Sequence, residues 1–170
     1  MKKIFFIVIF YIHPVFLFSQ SDNLKTSRRL VFNVGIENHL PIGNFAQFYN
    51  YGLGISAEAE YKLSPDFSFT FDPGFINYFY NTKSINVTGS TSYLTLLGGG
   101  RYYFPYKIFI DGQIGLAEKI DKEQKEKAFA FGGSAGIYLN KKITAELKYI
   151  KIKSITSAPE TIGLRIGYTF

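Results

Sequence analysis

The stretch Thr161-Ile162-Gly163-Leu164-Arg165-Ile166-Gly167-Tyr168-Thr169-Phe170 decides the fold of this chain. Apolar side chains take every second position, and Gly, Arg and Thr take the positions between them. Successive side chains of a β-strand point to opposite faces, so this alternation predicts a strand with one apolar and one polar face. The same alternation recurs along the rest of the chain and predicts an all-β protein.

Alternation divides the chain into eight candidate strands joined by links of two kinds. Tight links with Pro, Asp, Ser or Asn follow the second, fourth and sixth strands, and longer polar links follow the other strands. Short turns at one end and long loops at the other are typical of outer-membrane barrels, and an even strand count closes the sheet so that no edge meets lipid. We therefore predict an eight-stranded antiparallel up-and-down transmembrane β-barrel. The predicted strands are residues 29–37, 52–62, 67–78, 93–104, 107–116, 128–139, 143–152 and 161–170.

The third predicted strand contains a turn signal. Asp72-Pro73-Gly74 interrupts the aromatic run that begins at Phe67, and proline removes a hydrogen bond from a β-ladder. A turn at this point would break the strand count. Because Phe75 stays in phase with Phe67, we expect the strand to continue through this site with a bulge or a kink.

Residues 1–21 have the layout of a secretory signal peptide. Two lysines precede an apolar run at residues 4–18, and Ser19-Gln20-Ser21 supplies small residues for cleavage. A permanent anchor is the alternative, but this run is shorter than the roughly 20 residues that a membrane-spanning helix needs. We therefore predict a cleavable signal peptide at residues 1–21 and a barrel domain at residues 22–170. The chain has no cysteine, which excludes a lipoprotein anchor and disulfide bonds.

The net charge does not indicate a nucleic-acid partner. The chain carries 19 basic and 13 acidic residues, and two of the basic ones lie in the predicted signal. The mature chain would therefore carry a net charge of +4, from 17 basic and 13 acidic residues. These charges are scattered over strands and loops instead of forming one basic run, and the chain is predicted to be exported.

Alternation alone leaves open which face of the barrel is inside. In a soluble barrel of the lipocalin type, the apolar face would fill the interior. The apolar face here is crowded with Phe, Tyr, Leu and Ile, whereas an eight-stranded barrel is only wide enough for a modest filling of side chains. The other face is rich in glycine, which suits a narrow lumen. We therefore predict that the apolar face contacts lipid and that the charges of the other face pair inside the barrel. This luminal charge network consists of Glu58, Glu60, Arg101, Asp111, Glu146, Lys148 and Arg165.

Several stretches carry a resemblance to a known family. Leu40-Pro41-Ile42-Gly43-Asn44-Phe45 with Tyr51-Gly52-Leu53-Gly54 resembles the first loop and second-strand entry of the small eight-stranded outer-membrane proteins. Gly98-Gly99-Gly100-Arg101-Tyr102-Tyr103-Phe104 resembles their fourth strand. The family includes the transmembrane domain of OmpA, OmpX-type proteins and short barrel proteins of Bacteroidota. The resemblance implies the cell outer membrane of a Gram-negative bacterium and a closing strand that is recognised by the barrel-insertion machinery. The signal for that machinery would be Ile166, Tyr168 and Phe170.

Little in the sequence points to catalysis. His39 is the one histidine after the predicted signal, and it begins the first long loop near Glu37. Some small barrels modify lipid A with a His and a Ser, but no serine lies near His39 in the sequence, so we expect an ordinary rim residue. Glu58 and Glu60 share one strand face about 7 Å apart, and we expect them to pair with luminal cations and not to act as an acid–base pair. We predict no enzyme activity, no cofactor and no metal site.

Residues 118–127 contain four acidic and four basic residues, and we expect a solvated third loop there, with a short helical cap as the alternative.

The predicted role follows from the location. We predict a monomeric barrel with a structural or surface-interaction role, whose extracellular loops contact lipopolysaccharide, ligands or partner proteins. The alternatives are a narrow porin-like pore or a component of an export complex and, with less support, a lipid A-modifying enzyme. Eight strands leave no wide aqueous channel, which argues against conduction.

Overall fold

The computed structural model describes residues 29–81, 88–120, 126–153 and 158–170. These residues form one closed sheet in which each of eight strands pairs antiparallel with the next and the last pairs with the first. The strands are β1 (Leu30–Pro41), β2 (Tyr49–Lys62), β3 (Phe67–Tyr80), β4 (Ser90–Tyr103), β5 (Ile108–Ile120), β6 (Glu126–Tyr138), β7 (Ile143–Lys153) and β8 (Glu160–Thr169). The predicted up-and-down barrel is confirmed. The signal peptide predicted at residues 1–21 lies outside the described residues and stays a prediction.

Alternation places most of the apolar residues of the strands on the outside of the barrel. Phe69 on β3 is 55% exposed and Leu164 on β8 is 63% exposed. The exposed apolar wall runs around the barrel and exceeds the patches of a few hundred Å² that soluble monomers tolerate. A closed sheet with such a wall is suited to lipid, and the soluble barrel with an apolar interior is excluded. Further residues of the wall are Phe32, Ile36, Phe71, Leu96, Ile114 and Ile166.

The first strand is longer than the sequence predicted. The polar run Glu37-Asn38-His39 breaks the apolar alternation and suggested an end at Glu37. In the structure β1 continues to Pro41, with Asn38 opposite Leu53 on β2 and opposite Leu164 on β8. Because both neighbouring strands satisfy the backbone of this segment, its polar side chains remain in a strand, and Glu37 and His39 face the lumen.

The third strand continues through its turn signal. Residues 72–74 keep their places in the ladder with β4. The pairs with β2 are interrupted beside Pro73, which has no N–H, but the register on either side is the same. The predicted continuation of the strand is confirmed, and of the two irregularities expected here, a bulge or a kink, the unchanged register excludes the bulge. The register shift between β2 and β3 lies instead between Tyr49 and Tyr51.

The barrel has a short-turn end and a long-loop end. Links 63–66, 104–107 and 139–142 close the hairpins at the short-turn end, where β1 also begins and β8 ends. The first link at the long-loop end contains a 3-10 turn, Gly43–Gln47. The predicted third loop at residues 118–127 is partly strand, because β5 reaches Ile120 and β6 begins at Glu126; residues 121–125 lie outside the described part.

Candidate functional site in the barrel lumen

The charged residues of the polar face meet inside the barrel. All seven members of the predicted luminal charge network are buried, and they come from β2, β4, β5, β7 and β8. The structure adds Glu37 and His39 from β1 and Asp72 from β3, which are buried among them. Strand geometry explains the convergence, because residues two apart on a barrel strand face the same interior.

Arg101 on β4 is the centre of one half of the network. Its Nη1 and Nη2 donate to the two carboxylate oxygens of Glu58 at 2.8 and 2.7 Å. Glu60 Oε2 lies 3.7 Å from Nη1, and Asp111 Oδ2 lies 3.3 Å from Nε. The guanidinium carbon lies 4.2 Å from the ring centroid of Phe109, which adds a cation–π contact. Arginine suits this position because its planar fork can pair with a carboxylate at two points.

Arg165 and Lys148 hold the other half of the network around Glu37. Arg165 Nη1 donates to Glu146 Oε1 at 2.7 Å, and its Nε lies 3.4 Å from Glu37 Oε1. Lys148 Nζ donates to Asp72 Oδ2 at 2.6 Å and to Glu37 Oε1 at 3.2 Å. Glu37 therefore accepts a hydrogen bond from Lys148 and forms an ion pair with Arg165, while Arg165 Nε donates to Ser56 Oγ at 2.8 Å.

Glu146 joins the two halves into one network. Its Oε2 lies 3.9 Å from Arg101 Nη2, while its Oε1 pairs with Arg165. The buried carboxylates are Glu37, Glu58, Glu60, Asp72, Asp111 and Glu146, against the permanent cations Arg101, Lys148 and Arg165. Breaking one member of such a set leaves its partner charged and buried, which is costly. The network can therefore fix the positions of strands that share no backbone hydrogen bonds.

His39 lies in the lumen and not at the rim. It is fully buried, with Nε2 2.8 Å from Glu37 Oε2 and Nδ1 3.3 Å from Thr161 Oγ1. The rim position predicted for His39 was wrong, because β1 runs past Glu37 and puts both residues on its inner face. A hydroxyl, an imidazole and a carboxylate in this order resemble a catalytic triad. Thr161 is itself fully buried, so its hydroxyl offers no surface to a substrate.

Two carboxylates of the network, Glu37 and Asp72, were not predicted, because each lies at a local interruption of the alternation. Glu37 was taken as the last residue of its strand, and Asp72 was taken as part of a turn signal with Pro73. Both have the right parity, since Glu37 is two residues beyond Gly35 and Asp72 is two residues beyond Thr70 on the inner face. Extending the alternation through each polar interruption would have found them.

The long-loop half of the lumen is filled by apolar side chains. Phe45 of the 3-10 turn enters the lumen from the long-loop end. Its ring stacks on that of Tyr49 at 4.2 Å between centroids and contacts that of Tyr78 edge-on at 5.0 Å. The lumen was expected to hold glycine, small polar residues and charges, and the bulky residues that share its parity were not predicted. This apolar plug consists of Phe45, Tyr49, Ile76, Tyr78, Tyr93, Leu97, Ala117, Ala130, Ile150 and Ile152.

An aromatic floor of Tyr103, Phe109 and Tyr138 lies below the network at the short-turn end. Phe109 is fully buried, with its ring centroid 6.0 Å from that of Tyr103 and 5.6 Å from that of Tyr138. The hydroxyls of the two tyrosines lie 3.4 Å apart. The charge network is thus enclosed between the apolar plug and the aromatic floor.

Two features are absent from the described residues. No group of three or more His, Cys, Asp or Glu side chains in this part of the chain is arranged to hold a metal ion. Across the same residues, no helix has the length and hydropathy to cross a membrane.

Comparisons with known proteins identify the fold. No protein-family model matches the chain, and no curated protein matches it in sequence. The outer-membrane protein Ail of Yersinia pestis, in a phospholipid bilayer nanodisc, matches in structure with a TM-score of 0.58. The alignment covers 82% of this chain and 99% of Ail, at 13% identity. This chain has the fold of a small outer-membrane β-barrel.

Two further structures support this fold. Ail crystallised in complex with the heparin analogue sucrose octasulfate has a TM-score of 0.59 and 14% identity, over 83% of this chain and 97% of that one. Neisserial surface protein A has a TM-score of 0.55 and 10% identity, over 85% of this chain and 98% of that one. At these identities the likeness concerns the fold and not the ligands.

Proposed function

We propose that this chain is a closed, non-conducting barrel of the bacterial outer membrane with a structural or surface-interaction role. The observation that carries the proposal is a lumen filled on both sides of the charge network, inside a wall that is apolar. A lipid-facing wall supports membrane residence, and a filled lumen leaves the protein surface at the long-loop end as the place for interactions. We propose no enzyme activity, because the hydroxyl nearest to His39 is fully buried.

The proposed location and family rest on the strand number and on the sequence resemblance to OmpA-type and OmpX-type barrels, including those of Bacteroidota. The closing strand β8 pairs with β1 and completes the sheet. Its outward-facing residues Ile166, Tyr168 and Phe170 are exposed to the lipid side, which supports their proposed role as the signal for the barrel-insertion machinery. We propose a monomer, because the barrel has no open edge for strand addition.

The proposed contacts are made by the long-loop end, with lipopolysaccharide, ligands or partner proteins. Ail, which shares this fold, was crystallised with a sulfated heparin analogue, so a barrel of this size can present a ligand site. In this chain the long links are polar in sequence, and the first is anchored by Phe45, which is buried in the apolar plug. An anchored loop presents its remaining residues at lower entropic cost on binding.

The proposal is tested first by location and conductance. The full chain, expressed in a Gram-negative host, should fractionate with the outer membrane and migrate on gels in a heat-modifiable form. The purified barrel in a planar bilayer should show no steady conductance above a small-ion leak. Steady channel currents would contradict the proposal and favour the narrow-pore alternative. Crosslinking intact cells and purifying the barrel should then identify surface partners.

A further inference from the structure

The short-turn end of the barrel carries positive charge with almost no acidic counterpart. Its basic side chains sit in or beside each of the hairpin links and at the start of β1. Asp66 is the one acidic side chain in the links of this end. We call the basic set the basic ring. It consists of Arg29, Lys62, Lys107, Lys141 and Lys142.

Within the described residues, the basic ring has no carboxylate partners. Lys62 Nζ lies 5.9 Å from the ring centroid of Tyr103, and Lys142 Nζ donates to the hydroxyl of Tyr168 at 3.1 Å. Neither contact neutralises charge. No ion pair of the described part of the chain includes a member of the ring. The charge of this end is therefore available to an external anion.

The long-loop end differs, because three of its four described lysines face acids, the exception being Lys153. Lys151 Nζ pairs with Glu160 Oε2 at 2.8 Å, and Lys127 lies opposite Glu118 in the ladder between β5 and β6. Lys119 lies opposite Glu126 in the same ladder. Among the described residues, each end thus carries four lysines, in different electrostatic settings. An external anion would meet mostly compensated charge at one end and uncompensated charge at the other.

Lys142 of the basic ring adjoins the apolar wall, whereas Lys62 lies over Tyr103 at the inner side of the same barrel end. Tyr168 is on the lipid-facing side, and the Lys142 ammonium that contacts its hydroxyl also lies 5.5 Å from its ring centroid. Amphipathic rings and long basic side chains settle at the membrane–water interface, with their apolar parts in the acyl region. Other exposed apolar residues beside the ring are Leu63, Phe104, Tyr106, Leu139 and Phe170.

We propose that the basic ring binds the phosphate groups of anionic phospholipids in the periplasmic leaflet of the membrane. This inference rests on the proposed outer-membrane location, in which the short-turn end faces the periplasm. Uncompensated lysines attract anionic headgroups, and the neighbouring aromatic residues hold the barrel at the depth where phosphates lie. Phospholipid is the source of the phosphate, because lipopolysaccharide would meet the opposite end of the barrel.

The test measures lipid selectivity in vesicles of zwitterionic phosphatidylcholine. Spin-labelled phosphatidylglycerol and spin-labelled phosphatidylcholine report the fraction of each lipid held at the barrel surface. The native chain should prefer phosphatidylglycerol several-fold, since each contacting lysine favours an anionic surface by about fivefold. The variant K62Q/K107Q/K141Q/K142Q should lose this preference. The matched control K119Q/K127Q/K151Q/K153Q, which removes four lysines from the other end, should keep it.

Further measurements distinguish electrostatic binding of anionic lipid from other causes of a lipid preference. High salt should abolish the preference of the native chain, because it screens exposed charges. If the quadruple variant does not fold, K141Q/K142Q and the salt titration of the native chain carry the test. Equal binding of the two lipids by a correctly inserted native barrel would overturn the inference, as would loss of the preference in the control variant. A native chain that fails to insert, by heat-modifiable migration, would instead count against the proposed function.

Discussion

Arg101 and Glu58 form a two-point ion pair in the barrel interior, with Nη1–Oε1 and Nη2–Oε2 distances of 2.8 and 2.7 Å. They lie on β4 and β2, which are separated in the sheet by β3. The pair therefore ties together two strands that share no backbone hydrogen bonds. Lys148 and Asp72 do the same across the lumen, between β7 and β3. Side-chain pairing of this kind supplements the ladder around the barrel.

Replacing Arg101 with Met should destabilise the barrel by about 3–5 kcal/mol, because Glu58 would be left as a buried charge without its partner. Unfolding by urea from lipid vesicles measures the change. The control Lys151→Met breaks a partly exposed pair with Glu160 and should cost far less, because water screens that pair. The double variant Arg101→Met with Glu58→Met should recover part of the loss. Equal effects of the two single variants would show that the network contributes little.

Gly99→Ala should destabilise the barrel by about 1–3 kcal/mol through overpacking. A Cβ at this position would collide with the backbone oxygen of Gly112 on the neighbouring strand, and a backbone atom cannot move aside cheaply. Gly112→Ala is a matched control, because a Cβ there meets no atom within 4 Å. The same vesicle unfolding assay compares them. A neutral Gly99→Ala would mean that the strands can shift apart at this point.

Phe45→Ala should loosen the apolar plug at the long-loop end. The buried ring fills space against Tyr49 and Tyr78, and removing it should cost about 3 kcal/mol or more. Planar-bilayer recordings should then show more frequent small-ion leaks than the native chain. Phe48→Ala is the control, because this neighbouring ring is 47% exposed. Leaks that are the same in both variants would place the seal elsewhere, at the charge network or the aromatic floor.

Ile114→Lys should cost about 2–4 kcal/mol, because it puts a charge on the lipid face of β5 near the middle of the strand. Ile114 is 63% exposed, so the loss would not come from a core cavity. Leu139→Lys, at a similarly exposed position in a short link, should cost about 1 kcal/mol or less. The free energy of unfolding of each variant is measured in vesicles and in detergent micelles. A cost that appears only in vesicles shows that the bilayer is responsible for it. Equal costs at the two sites would argue that the wall does not sit in hydrocarbon.

Phe170→Ala should lower the yield of inserted barrel in living cells more than it lowers folding in detergent. Phe170 is exposed beside the apolar wall, and its backbone N–H donates to Phe32 O at 3.0 Å, a bond that alanine retains. The barrel itself should therefore fold normally, while recognition by the insertion machinery should weaken. Outer-membrane yield is measured against refolding of the purified chain in detergent. A normal yield in cells would remove Phe170 from the proposed insertion signal.

Much of the fold could be predicted from period-two alternation. The eight strands and the outward apolar face were both expected, because a strand that faces two different surroundings must alternate. The errors lay where this signal is locally weak. At Glu37-Asn38-His39 the outward residue is polar near the barrel end, and at Pro73 a turn residue occupies a wall position. Neither the alternation nor turn preference contains the information that strands on both sides would hold these segments in the sheet.

The sequence by itself determined the number of strands and which face of each meets lipid, because those depend on the side-chain period of single strands. The tertiary structure alone decided which charges meet, since Arg101, Glu58 and Asp111 come together through strand register and barrel closure. It also decided that the lumen is divided into an apolar plug, a charged layer and an aromatic floor. Such layers form across the barrel, from residues far apart in the chain, and no local pattern records them.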